Sequence, residues 1–265
     1  MEVPPLHPRP ARLELLLLKG DHRSSHTWEG QLLAQTFRAR RVYDMWGFLR
    51  EHPLYPRIVR RLQGTSFYRI VEIGQLQLDW SLITTLIERW RPEKHTFHLS
   101  IGEVTITLQD VEVLYGLPVD GHPVALSNSI REYTGLHYME MLQRLTGFQP
   151  LDETASVGAS RLQLTPVRQH FEALHADITN DTPELHIYWY TRLLLLLMFV
   201  GVLFPNTSGN LVSLKFLHHL ERLDDLHHYS WCATVLGYLY MQMYRASMGT
   251  QHDVAGFLPL LQVKT

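Results

Sequence analysis

Glu88–Val124 reads ERWRPEKHTFHLSIGEVTITLQDVEVLYGLPVDGHPV, and the organisation of the chain is worked out from it. His95 to Leu99 and Val104 to Thr107 are short runs of strand-forming residues. They are separated by Ser100-Ile101-Gly102-Glu103, whose length and glycine suit a hairpin. A helix is expected next. Thr107 is placed to N-cap it, and Asp110, three residues on, sets a carboxylate near the positive helix end. Val111 and Leu114 begin its apolar face, Gly116 closes it, Leu117-Pro118 ends the segment and Asp120-Gly121 signals a turn.

Working outward, most elements read as helix. The most hydrophobic run, Leu193 to Phe204, has 12 residues against the roughly 20 needed to cross a bilayer, so a buried helix and no membrane contact are expected. Thr182-Pro183-Glu184 supplies a capping hydroxyl, a first-turn proline and an acid at its start, and Pro205 ends it. Thr165-Pro166 opens a helix carrying Val167, Phe171 and Leu174 on one face. Ser230 is placed to cap a long helix to about Met248, with Val235, Leu239 and Met243 as a core stripe and Tyr238 and Met241 between them. Val71 to Leu78 is read as a second β element, and Pro150 to Arg161 as the flexible connection. The expected fold is mainly α: one large helical domain over residues 12–262 with a small β hairpin, after a flexible segment 1–11.

A chain of 265 residues with 45% hydrophobic residues has material for a large core. Its one cysteine, Cys232, allows no internal disulfide and fits a reducing compartment. The apolar run Leu15 to Leu18 is too short for a secretory signal, so the Asn206-Thr207-Ser208 sequon is read as chance. Charge is unevenly distributed: residues 1–70 hold 12 Lys or Arg against 6 Asp or Glu, leaving −8 on the rest of a chain whose net charge is −2. Arg38, Arg40, Arg41, Arg57, Arg60 and Arg61, near Trp46 and Tyr55, are therefore candidate nucleic-acid contacts, since guanidinium groups match phosphate geometry. The competing reading is a solvated helix face paired with the acidic remainder, and a pI of about 6.8 without a nucleic-acid fold motif favours it.

The opening stretch resembles the signature of the plant mobile domain family, also labelled aminotransferase-like or maintenance-of-meristems-like. The matching positions are His95-Thr96-Phe97-His98-Leu99, Gly102-Glu103, Thr107-Leu108, Asp110-Val111, Gly116-Leu117-Pro118 and Asp120-Gly121. Upstream, Gly20 to Ser24, Trp28-Glu29-Gly30 and Asp79 to Trp90 resemble the family's earlier landmarks. Downstream, Leu203 to Ser208 and Tyr229-Ser230-Trp231-Cys232-Ala233 resemble later ones. Ser100 and Cys232 depart from the family's usual proline and glycine. The family generally continues after Leu260-Leu261-Gln262 with a Trp-Ala-Trp-like segment, whereas this chain ends at Thr265. On that reading the domain is shortened, and apolar surface is expected around Phe257, Leu258, Leu260 and Leu261 with poor solubility as the result.

The best metal cluster is His218, His219, His227, His228 and Cys232, with His228 and Cys232 one turn apart if helical, but no CxxC or HExxH pattern supports it. No metal is expected. The aminotransferase-like label would require a Schiff-base lysine and a phosphate site. Lys19, Lys94, Lys215 and Lys264 are the only lysines, and none lies in a glycine-rich loop, so no cofactor is expected. GxSxG and P-loop patterns are absent. His98, Glu103, Asp110 and Asp120 are a conceivable acid-base set, but turn and cap roles explain the carboxylates Glu103 and Asp110, and His95 and His98 would face opposite ways in a strand. No catalytic residue is assigned. One branch of the family joins this domain to a serine/threonine phosphatase, but metal-binding phosphatase motifs such as GNHE are missing here.

The resemblance implies a nuclear plant protein tied to meristem maintenance, genome stability and transposable-element silencing. The leading expectation is a non-catalytic interaction domain, with a serine/threonine phosphatase or other plant mobile domain proteins as partners. The alternative is a transposon-derived nucleic-acid-binding protein that uses the basic N-terminal region.

Overall fold

A computed structural model describes residues 22–23, 36–37, 44–125, 133–150, 158–205, 209–248 and 253–262. Over these described residues the chain is mainly α with two small antiparallel sheets. Three short helices, α1 (Met45–Glu51), α2 (Pro56–Gln63) and α3 (Tyr68–Ile73), precede α4 (Trp80–Arg89). The first sheet follows: β1 (Trp90–Arg91), β2 (Thr96–Leu99) and β3 (Gly102–Val104), in that order. Then come α5 (Leu108–Tyr115), α6 (Gly135–Thr146), β4 (Arg161–Gln163), α7 (Leu164–Ala176) and α8 (Glu184–Met198). After β5 (Leu211–Ser213), the short helix α9 (Leu217–Leu220) leads to α10 (Trp231–Ser247) and α11 (Pro259–Gln262).

The centre is α8. It packs against α2, α6, α7 and α9, and every residue from Leu193 to Phe199 is buried. A π-helical stretch, Phe199–Leu203, extends it, closed by Phe204 N–H donating to Phe199 C=O at 2.7 Å. Pro205, with no N–H to continue the ladder, follows. The whole element, Glu184–Leu203, has 20 residues and begins and ends where the sequence indicates; with mean hydropathy 1.6 it is long and apolar enough to cross a membrane, more than the 12-residue run alone suggested, yet it is mostly enclosed by its neighbours. Arg192 on α8 donates to the carbonyls of Leu145, Leu220 and Glu221 at 2.9–3.3 Å, filling acceptors that the ends of α6 and α9 leave open.

Several local signals act as the sequence indicates. Thr107 and Asp110 form a reciprocal capping box on α5, and Gly116 takes the left-handed C-cap conformation at φ +67°. On α7, Val167, Phe171 and Leu174 face the core, as do Val235, Leu239 and Met243 on α10.

Other expectations are corrected. The hairpin turn is only Ser100-Ile101, because Leu99 pairs with Gly102 and His98 with Glu103; residues 105–107 lie outside the sheet. Val71 begins no strand: α3 continues to Ile73, and the second sheet is β4–β5 instead. Thr182 does not cap α8, since its hydroxyl accepts from Thr179 N–H at 2.7 Å and Pro183 occupies the cap. Ser230 stands at the α10 cap position, but its hydroxyl donates to Val119 C=O. In the expected connection, residues 151–157 lie outside the described residues and Arg161 already belongs to β4. The apolar C-terminal residues are not left as surface: Phe257, Leu258, Leu260 and Leu261 are all buried, with Phe257 against Tyr115. Gln262 holds them there, accepting from Asp79 N–H at 2.7 Å and donating to Gln77 C=O at 3.0 Å.

Candidate functional site

The signature residues converge on α10. Trp90 and Phe97 are buried with ring centroids 5.0 Å apart, and Tyr240 lies 4.9 Å from Trp90. His95 is outside the strand, at φ +54°, where its ring stacks on Tyr240 at 5.3 Å. Thr105 Oγ1 donates to His95 C=O at 2.6 Å and sits 2.8 Å from Tyr240 Oη, which in turn donates to Ile106 C=O. The hairpin is thus clamped by one tyrosine. Sequence reasoning missed Tyr240, which carries no local motif and lies outside the period-four core stripe of α10. Upstream, the ring of buried His22 contacts Trp90 C=O at 2.8 Å, and Arg23 lies over Phe37 and 3.6 Å from Glu88.

His98 and Glu103 face each other across β2 and β3, with His98 Nε2 3.0 Å from Glu103 Oε1 but outside hydrogen-bonding alignment. Burial pushes the His98 imidazole below its ordinary pKa, so it is neutral near pH 7. Glu103 is held below the usual carboxylate range, chiefly by Lys94, whose ammonium sits 2.7 Å away. Asp110 is occupied by its capping box, and Asp120 is exposed. These four groups do not form one acid-base set: two are a cross-strand pair and one is a helix cap.

The end of the signature is stitched to the later Tyr229–Ala233 landmark. His122 N–H donates to His228 C=O at 2.7 Å, Ser230 N–H to His122 C=O at 2.9 Å and Cys232 N–H to Pro118 C=O at 3.1 Å. Cys232 Sγ donates to Leu117 C=O at 2.9 Å. The cysteine that departs from the family's glycine is thereby accommodated: it is fully buried, and desolvation pushes its thiol up to about 12. In native protein at pH 8 the thiol is expected to resist a thiol-specific reagent and to label fully only on unfolding. Fast labelling without denaturant would contradict this burial.

Of the candidate phosphate contacts, Arg38, Arg40 and Arg41 lie outside the described residues. The other three line a cleft of about 370 Å³ with Gly64, Glu184 and Asp224. Arg57 donates to the carbonyls of Asn180 and Thr182 at 3.1 and 2.6 Å and to Glu184 Oε2 at 2.7 Å. Arg61 pairs with Glu184 Oε1, and its guanidinium lies 3.9 Å over the Tyr188 ring. Arg60 is exposed and makes no ion pair among the described residues. Two of the three arginines therefore strap α2 to the start of α8, where a carboxylate also suits the helix dipole.

Hydrogen bonds from Arg57 and then Arg61 hold the Glu184 carboxyl below its usual range. A depressed carboxylate stabilises the fold above its unfolded pKa of about 4.3 and loses that contribution as pH falls through the folded value. Glu184→Gln is expected to lower stability slightly at pH 6, by under about 1 kcal/mol because the pair is half exposed, and to have no effect near pH 2. Urea denaturation at both pH values measures this, and an equal loss at both would contradict it.

Among the described residues, no three His, Cys, Asp or Glu groups are placed to hold a metal ion. His228 ends a 3-10 segment, Leu223–His228, rather than sharing a helix with Cys232, so their one-turn spacing does not apply. Of the lysines, Lys94 is half exposed and paired with Glu103, and Lys215 is exposed. Neither has the enclosed setting that tunes a Schiff-base lysine, so among the described residues no lysine suits pyridoxal phosphate; Lys19 and Lys264 lie outside them.

Comparison with known proteins bears on the same landmarks. The family model described as Plant mobile domain matches residues 66–265. The chain belongs to the plant mobile domain family. This plant mobile domain chain is 35% identical to a serine/threonine-protein phosphatase 7 long form homolog of Arabidopsis thaliana, over 97% of its own length and 18% of the relative's. It is 34% identical to Protein MAIN-LIKE 1, over 91% of its length and 45% of the relative's, and 32% identical to Protein MAINTENANCE OF MERISTEMS, over 75% and 39%, both of Arabidopsis thaliana. It spans less than half the length of these curated relatives. No solved structure matches it.

Proposed function

We propose that this plant mobile domain chain is a non-catalytic interaction domain of a nuclear protein, supporting meristem maintenance, genome stability and transposable-element silencing through protein partners. The observation that carries this reading is the occupation of the signature's polar groups. Thr107 and Asp110 cap a helix, and Glu103 and Lys94 pair on the hairpin. Leu117 to His122 offers its backbone to the 228–232 segment. Such groups serve to present a rigid helical scaffold rather than to turn over a substrate. A serine/threonine phosphatase or a second plant mobile domain protein is the proposed partner class. It is supported by association with the relatives' names alone.

The test is affinity purification from plant nuclei with the intact chain and with His98→Ala and Glu103→Gln variants that keep the fold. The same partners are expected with all three, and a turnover activity abolished by either variant would defeat the reading. Binding to duplex and single-stranded DNA across a salt series provides the second arm. Weak binding is expected. Strong, salt-sensitive binding lost on charge reversal of Arg57, Arg60 and Arg61 would instead support the nucleic-acid reading.

A further inference from the structure

Helix α10 has two faces. Val235, Leu239 and Met243 face the core, whereas Thr234, Gly237, Tyr238 and Met241, at helical spacing on the other side, line a cavity of about 430 Å³. This volume falls within the roughly 300–1,000 Å³ of small-molecule sites. Phe204 and Phe216 form one wall, stacked at 5.1 Å and 17°. Tyr238 meets Phe204 edge-on at 5.5 Å, and its hydroxyl is anchored by donation to Pro205 C=O at 2.7 Å. The walls are therefore built before any ligand arrives.

Three observations point to what would fill the cavity. Gly237 interrupts a 17-residue helix at a cost of about 1 kcal/mol relative to alanine, yet a Cβ there would meet nothing within 4 Å. No neighbouring atom demands the glycine, and the space above it is the cavity. His219, only 8% exposed, lines the same space and makes no hydrogen bond among the described residues. Lys215 is exposed, also lines the cavity and has no ion pair among the described residues.

We infer that this cavity binds a small flat aromatic carboxylate. The ring would lie against Phe204, Phe216 and Tyr238 over Gly237, and the carboxylate would meet the Lys215 ammonium and a His219 ring nitrogen. Aromatic walls favour a planar partner by stacked and edge contacts. A single lysine with one imidazole matches the charge of a monoanion. The inference is independent of the proposed scaffold role and stands or falls separately from it.

The test is calorimetric titration of the full chain with 2-naphthoate and 2-naphthamide, which share a ring system and differ in charge. Saturable binding of naphthoate is expected, about tenfold tighter than the amide, and the preference should vanish in Lys215→Met while amide affinity is unchanged. Gly237→Leu should abolish binding of both with an equal or higher Tm, because its side chain enters open space. Absence of saturable naphthoate binding at about 1 mM would overturn the inference. So would undiminished binding by folded Gly237→Leu. If Gly237→Leu lowers Tm, Lys215→Glu decides: a reversed preference supports the site, and an unchanged preference overturns it.

Discussion

Trp231→Ala is expected to remove roughly 3–5 kcal/mol of stability, a large fraction of the roughly 5–15 kcal/mol that holds a typical domain folded. The indole is fully buried, with Phe67 and Phe199 each 5.0 Å away between ring centroids. Its Nε1–H donates to Leu226 C=O at 2.8 Å, so truncation leaves a cavity and removes the shorter of two hydrogen bonds to that carbonyl, which keeps Tyr229 N–H at 3.4 Å. Trp231→Phe should lose less, because most of the ring contacts survive. The change should lower Tm by about 10 °C or more. Urea and thermal denaturation followed by circular dichroism measure it, and a midpoint unchanged in Trp231→Ala would show that α10 is not anchored through this ring.

Gly121→Val is expected to separate the signature from the later landmark. Gly121 has φ +128°, and a Cβ there would stand 2.4 Å from His228 O and 2.8 Å from His228 C. Those are backbone atoms that cannot rotate away. Backbone strain of about 1–3 kcal/mol therefore adds to a clash relieved only by moving the 228–232 segment. Gly102→Ala is the matching control: its φ is +138°, but nothing lies within 4 Å of the added Cβ, so only the conformational cost of about 1–2 kcal/mol remains. Hydrogen exchange at the His122 and Ser230 amides reports the stitch directly. Protection retained in Gly121→Val would rule out the close approach.

How far the sequence could be read depended on the range of the interaction. The α5 capping box, the Gly116 cap and the core faces of α7 and α10 involve residues within one or two helical turns of each other, so local pattern sufficed. Where a side chain had two partners available, local reading failed. Thr182 and Ser230 occupy good capping positions, yet their hydroxyls serve Thr179 and Val119 instead. The two-residue strand β1 has too little length for any period and exists because β2 pairs with it. Strands β4 and β5 pair across about fifty residues of sequence that contain α7 and α8. The candidate site divides the same way. The basic charge of Arg57 and Arg61 was visible, but not that Glu184, more than a hundred residues away, would engage both.

The sequence by itself determined the mainly helical class, the central apolar helix, the capped helix after the hairpin and the family, because these rest on short-range periodicity and on the order of landmarks. Only the tertiary structure decided what those landmarks do. Packing brings Leu117–His122 against 228–232, sets Tyr240 as the clamp on the hairpin and opens a cavity over Gly237. Each depends on atoms distant along the chain, whose approach is set by how α8 and α10 fill the core.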